Sequence, residues 1–139
     1  MTILRTIFNL LAKPKKDIET KFNTFLKDLI ILSYQEEKQC ELIGPGNTGT
    51  EMIINFGISH QYLDDFLNSK LINMDQKILL DNLAKYFDEM KSIPENLNSA
   101  EWKNIRQIVK NILDRLDAKN FEVVLDRSGK FFESKLIRS

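Results

Sequence analysis

The feature that most constrains the fold of this chain is a run of apolar residues spaced by three and four positions near its C-terminal end. The run comprises Trp102, Ile105, Ile108, Val109, Ile112, Leu113 and Leu116. This spacing places its members on one side of an α-helix and leaves the opposite side polar. Asn98 and Glu101 precede most of the run with the spacing of a capping box. The segment therefore predicts an amphipathic helix packed against a hydrophobic core.

Weaker patterns of the same kind predict four more helices. One lies at the start of the chain, over residues 1–11, and the longest runs from Asp17 to about Gln39. Two shorter helices follow Ser59 and Asn73, residues whose side chains can accept hydrogen bonds from the free N–H groups of a first helical turn. We therefore expect about five helices.

Two further segments have the character of β-hairpins. Residues 40–57 combine a Gly-rich loop at 44–49 with a β-branched and aromatic run at 50–56. Residues 121–137 place two apolar runs on either side of Asp126-Arg127-Ser128-Gly129, the residue types of a type I turn. Together with the helices, these hairpins predict an α+β, mainly helical fold. A chain of 139 residues corresponds to about one domain, which is expected to span residues 1–139.

The Gly-rich loop at 44–49 also has the GxGxxG spelling of a dinucleotide-binding motif. That motif binds phosphate because it opens a helix whose free N–H groups face the anion. Residues 50–56 are predicted to form a strand instead, and Thr50-Glu51 stands where a Walker motif needs Lys followed by Ser or Thr. The loop is accordingly interpreted as a hairpin turn, and no cofactor is expected.

The residues capable of covalent or metal chemistry do not form a recognisable set. Cys40 and His60 are the single cysteine and the single histidine, and no nucleophile motif surrounds the thiol. His60 and Asp64 have the spacing of one helical face, but a stable metal site needs three or four ligands. A non-enzymatic protein without metal is therefore expected. The alternative is a small hydrolase or nucleotide-handling enzyme that uses Cys40, His60 or the 44–49 loop.

Charge is unevenly distributed, although twenty basic and twenty acidic residues cancel over the whole chain. Residues 44–97 contain eight acidic and four basic residues, whereas both ends are weakly basic. An acidic face accelerates encounter with a basic protein and orients it. Lys77 and Lys85 interleave with this face and dilute it. The candidate partner-binding residues on the two central helices are Asp64, Asp65, Asp81, Asp88 and Glu89.

Other classes of partner are disfavoured by the pattern of charge and hydropathy. The last predicted helix carries Lys103, Arg106, Lys110 and Arg115 on its polar side, but nearby acidic residues intervene, so nucleic-acid binding is not expected. No apolar run approaches the roughly 20 residues of a membrane span. A single cysteine fits a reducing, cytoplasmic location.

In general character the chain resembles bacterial toxin-immunity proteins, which neutralise secreted or contact-delivered toxins. The shared features are a small single domain rich in Lys, Asn and Ile, an acidic region, and the lack of a catalytic set. The resemblance implies a protein that binds a basic toxin domain, and many toxins of this class are nucleases with basic clefts. A regulatory adaptor, oligomeric through the amphipathic segment at residues 1–13, is a further alternative, and the sequence leaves the oligomeric state open.

Overall fold

A computed structural model describes residues 15–126 and 133–138, in which six helices precede a two-stranded antiparallel hairpin. The elements are α1 (Lys15–Ser33), α2 (Glu36–Ile43), α3 (Thr48–His60), α4 (Leu63–Asn68), α5 (Met74–Asp88), α6 (Ala100–Arg115), β1 (Phe121–Asp126) and β2 (Glu133–Arg138). The predicted α+β, mainly helical fold is confirmed. The predicted first helix over residues 1–11 lies outside the described residues.

The amphipathic pattern near the C-terminal end forms α6, as predicted. Trp102, Ile105 and Val109 are completely buried along one side of this helix. Its N-terminal cap is Ser99, whose hydroxyl accepts a hydrogen bond from the Trp102 N–H at 3.2 Å, and not the predicted Asn98. At the start of α5, the predicted capping box of Asn73 and Gln76 is present with both of its hydrogen bonds.

Helix α1 lies at the centre of the fold because its C-terminal half, residues 25–33, is buried on nearly all sides. It packs against α3, α6 and the hairpin. Phe25 and Leu29 are completely buried, and the ring of Phe25 lies between those of Phe56 and Phe66, with centroid distances of 5.8 and 5.6 Å. The predicted long helix from Asp17 to Gln39 is divided, since α1 ends at Ser33 and α2 begins at Glu36.

The predicted hairpin at residues 40–57 is wrong. Cys40 lies in α2, and residues 50–56 lie in α3. Met52, Phe56 and Ser59 are buried with helical spacing and face the core, so tertiary packing overrides the β-branched character of the segment. Ser59, predicted to cap the next helix, is an internal residue of α3 whose hydroxyl donates a hydrogen bond to Asp28.

The predicted C-terminal hairpin is present, with Phe121 opposite Arg138 and Asp126 opposite Glu133. The predicted turn between the strands lies outside the described residues. An isolated hairpin is marginally stable in water, so this one depends on the helices. Val123 is completely buried, and its N–H donates a hydrogen bond of 2.8 Å to the Tyr34 hydroxyl at the end of α1.

None of the helices within the described ranges is both long enough and apolar enough to cross a membrane.

Candidate partner-binding surface

The five predicted acidic residues lie on two helices that pack against each other. Asp64 and Asp65 occupy the first turn of α4, Asp81 and Asp88 lie on α5, and Glu89 caps the end of α5. All except Asp81 are exposed. Asp88 is two helical turns beyond Asp81, about 10 Å along the axis. The structure therefore arranges these carboxylates along one side of the molecule and not in a single tight cluster.

Asp81 is engaged within the protein instead of being free for a partner. Its Oδ2 accepts a hydrogen bond of 2.7 Å from Lys77 Nζ, and its Oδ1 lies 2.9 Å from His60 Nε2. Burial alone would raise the pKa of Asp81, but the contacts with Lys77 and His60 outweigh it and hold that pKa below its usual value. Lys77 Nζ also lies 3.8 Å from Asp64, whose side chain is otherwise well exposed.

The remaining acidic residues are more open to a partner. Lys85 Nζ lies 3.9 Å from Glu89, an exposed pair of a kind that contributes little to stability. Asp65 and Asp88 have no ion pair with any other residue that the structure describes. Of the predicted set, Asp65 and Asp88 are thus the two carboxylates without a counterion among the described residues.

A crevice of about 280 Å³ lies between α3 and α5 beside Asp88. Its floor is aromatic, since Phe56 and Phe87 pack edge to face with ring centroids 5.3 Å apart. Its walls include Gly57 on α3 and Ala84 on α5, which project little or nothing into the gap. The crevice therefore exists because two small residues face each other across the helix pair.

Large aliphatic side chains are exposed on the same two helices. Ile54 and Ile58 lie one turn apart on α3 and are 53% and 54% exposed. Met74 and Ile78 lie one turn apart on α5 and are 55% and 50% exposed. Ile54 was not predicted to lie on an exposed helical face, because residues 50–56 were assigned to a strand. Single exposed aliphatic residues are ordinary on a protein surface, but neighbouring exposed pairs are typical of contact surfaces.

The Gly-rich loop at 44–49 leads into helix α3. The strand predicted at residues 50–56, which was the ground for excluding a phosphate site, is therefore wrong. The structural role of the loop is visible in the packing. Gly44 and Gly46 have positive φ angles of 108° and 97°, and the Thr48 hydroxyl donates a hydrogen bond to the Gly44 carbonyl. A Cβ atom on Gly49 would lie 2.7 Å from Cζ2 of Trp102, so this glycine permits close contact between α3 and α6.

The surroundings of that loop differ from those of a nucleotide-binding loop. The element before it is α2, whereas the dinucleotide and Walker motifs both follow a β-strand. Glu95 lines the cavity of about 350 Å³ beside Gly46 and Thr50. Its negative charge disfavours the binding of a phosphate or another anion there. The arrangement favours a loop that joins two packed helices.

Cys40 and His60 are not paired. The described contacts of His60 are with Asp81 and with Phe56, whose ring centroid is 5.5 Å from that of the imidazole. Cys40 is half-buried on α2. Across residues 15–126 and 133–138, no group of three or more His, Cys, Asp or Glu side chains could hold a metal ion.

Arg106, predicted to lie on the polar side of the last helix, is buried and 3% exposed. Its Nε donates to the Tyr34 carbonyl at 2.7 Å, and its Nη2 donates to Oε1 of Gln39 at 2.8 Å. Gln39 is itself completely buried and donates to the Ile31 carbonyl at 3.0 Å. The guanidinium therefore joins α6 to α1 and α2, and it contributes no charge to a nucleic-acid surface.

Comparison of the chain with protein-family models, with curated proteins and with solved structures finds no match.

Proposed function

We propose that this chain is a non-enzymatic binding module, an immunity protein that neutralises a cognate bacterial toxin by covering a basic surface of it. The observation that carries the proposal is the outer side of α3 and α5, where half-exposed aliphatic side chains and exposed carboxylates occur on the same two helices. Ile54, Ile58 and Met74 represent the apolar part, and Asp88 and Glu89 the acidic part.

Apolar and acidic groups have different roles in such a contact. The centre of a protein interface is depleted in charge and contains most of the binding energy, whereas charged groups around it steer the partner and set its orientation. Residues 63–89 contain six carboxylates and three lysines, so this side of the molecule attracts a basic partner. The exposed aliphatic pairs supply area that water leaves when the partner docks.

The predicted contact residues differ in their exposure and in their contacts within the protein. Asp65, Asp88 and Glu89 are exposed and suited to direct contact, as is Asp64 despite its long contact with Lys77. Asp81 acts differently in the proposal. Because Lys77 and His60 satisfy both of its oxygens, it holds those two side chains in place at the surface.

The test is binding to a basic toxin domain encoded beside this protein, measured by calorimetry at ionic strengths from about 50 mM to about 500 mM. Salt should weaken binding, and Asp65→Lys with Asp88→Lys should weaken it by at least about tenfold at low salt. The matched control is Asp114→Lys with Glu122→Lys, which reverses two exposed carboxylates outside α3, α4 and α5. Equal affinity for the two double variants would refute the proposed surface.

A further inference from the structure

The crevice between α3 and α5 has a shape that admits one long side chain. Its volume of about 280 Å³ is several times the roughly 30 Å³ that one water molecule occupies in the liquid. A Cβ atom added at Gly57 would meet no heavy atom within 4 Å, so the space beside this glycine is open. On the α5 side, Ala84 contributes only a methyl group to the lining, next to Phe87 and Asp88.

The lining of the crevice combines an apolar interior with one open negative charge. Phe56 and Phe87 form the floor, and Asp88 lies at the rim. The nearby ammonium group of Lys85 is 3.9 Å from Glu89, and Asp88 has no ion-pair partner among the described residues. A long cationic side chain fits such a lining, because its methylene stem is apolar and its charged end can reach the carboxylate.

Arginine fits this lining better than lysine does. The planar guanidinium stacks on aromatic rings and is more weakly hydrated than an ammonium group, so it loses less on entering an aromatic crevice. It also donates two parallel hydrogen bonds to a carboxylate such as Asp88. Asp88 is the one carboxylate among the described residues that line the crevice. His60 also lines it and contacts Asp81, so the described lining has no second carboxylate available to bind the compact ammonium group of a lysine.

We infer that the crevice is the subsite for an arginine side chain of the protein partner, with the stem between Gly57 and Ala84 and the guanidinium on Asp88. This inference rests on the proposed function, since the arginine belongs to the basic protein that the surface binds.

The experiment uses N-acetyl-arginine methylamide as the probe, with the free protein, followed by amide chemical shifts in ¹⁵N-edited NMR spectra. The probe should bind weakly but saturably and shift the amides of Gly57, Ala84 and Asp88. Asp88→Asn should weaken probe binding by about tenfold, because it removes the charge from a charge-assisted hydrogen bond. Asp65→Asn, an equally exposed change outside the crevice, should leave it unaltered.

Two further comparisons separate recognition of arginine from general attraction. The matching citrulline derivative has the same length without the charge, and the lysine derivative has the charge without the planar group; both should bind more weakly. Gly57→Leu places a side chain in the open space of α3 and should abolish the shifts, while a dispersed spectrum shows that the protein remains folded.

The inference is overturned if the three amides do not shift, if citrulline or lysine binds as well as arginine, or if Asp88→Asn and Gly57→Leu have no effect. The toxin experiment is independent of these results. Salt-sensitive binding of a basic toxin domain together with no arginine binding would retain the proposed function and reject the crevice as its arginine subsite.

Discussion

At the scale of single residues, Asp28 shows how a carboxyl group is accommodated between two core helices. It is 9% exposed on α1, and its Oδ2 accepts a hydrogen bond of 2.9 Å from the Ser59 hydroxyl on α3. Burial raises the pKa of Asp28, although the Ser59 hydrogen bond and the charge of Lys27 act in the opposite direction. The folded protein therefore binds this proton more tightly than the unfolded chain does.

The raised pKa of Asp28 predicts how stability depends on pH. Its favourable contribution is complete below the unfolded value of 3.8 and is lost as the pH rises through the folded pKa. Asp28→Asn does not titrate and can still accept the Ser59 hydrogen bond. Urea unfolding from about pH 3.5 to about pH 7 should show the variant gaining stability relative to the natural protein as the pH rises. Parallel stability curves for the two proteins would contradict this expectation.

Arg106 is a second residue whose role is structural. Arg106→Lys loses the two directed donors to the Tyr34 carbonyl and to Gln39, and it leaves an ammonium in the same buried space. We expect a loss of about 2–3 kcal/mol in the free energy of unfolding, measured by chemical denaturation. Lys110→Arg, on the exposed side of the same helix, should change it by less than about 0.5 kcal/mol. Similar values for the two variants would show that the buried hydrogen bonds are unimportant.

The spacing of the sequence indicates that Arg106 is buried, although its charge led to its assignment to the polar side of the helix. Arg106 is four residues after Trp102 and three before Val109, so it lies in the middle of the apolar stripe of α6. The i, i+4 pairing of Lys77 with Asp81 was equally open to prediction. The contact of His60 with Asp81 was not, since it joins two helices whose arrangement depends on the whole core.

At the scale of elements, the segment from Gly44 to His60 shows where local patterns fail. Its glycines and β-branched residues are typical of a hairpin, and the sequence offered only a partial helical stripe at Met52, Phe56 and Ser59. That stripe decides the outcome because it packs on α1. By contrast, α5 and α6 have both a cap and a long apolar stripe, so both form as helices where the sequence predicts them. The crevice could not be predicted, because it requires α3 to be a helix.

The two glycines of α3 should respond to alanine in opposite directions. Gly49→Ala places a Cβ atom 2.7 Å from Cζ2 of Trp102, whose indole N–H is tied to the Pro94 carbonyl at 2.9 Å and resists displacement. A loss of about 1–3 kcal/mol is expected in thermal or chemical unfolding. Gly57→Ala meets no atom and improves helix propensity, so it should gain about 0.5–1 kcal/mol. Losses of equal size at both positions would exclude the contact with Trp102 as the cause.

At the scale of the whole molecule, charge and apolar area are segregated although the net charge is zero. Residues 44–97 have eight acidic and four basic residues and contain the exposed aliphatic pairs, whereas the core joins α1, α3, α6 and the hairpin from both halves of the chain. The net negative charge and the exposed aliphatic pairs are therefore concentrated in the middle of the sequence.

Tyr34 has a consequence for the order in which the molecule assembles during synthesis. Its carbonyl accepts from Arg106, 72 positions later, and its hydroxyl accepts from Val123, 89 positions later. Neither bond can form until the ribosome has translated those codons. The hydrogen bonds that tie the end of α1 to α6 and to β1 are therefore completed only after those C-terminal residues have been synthesised.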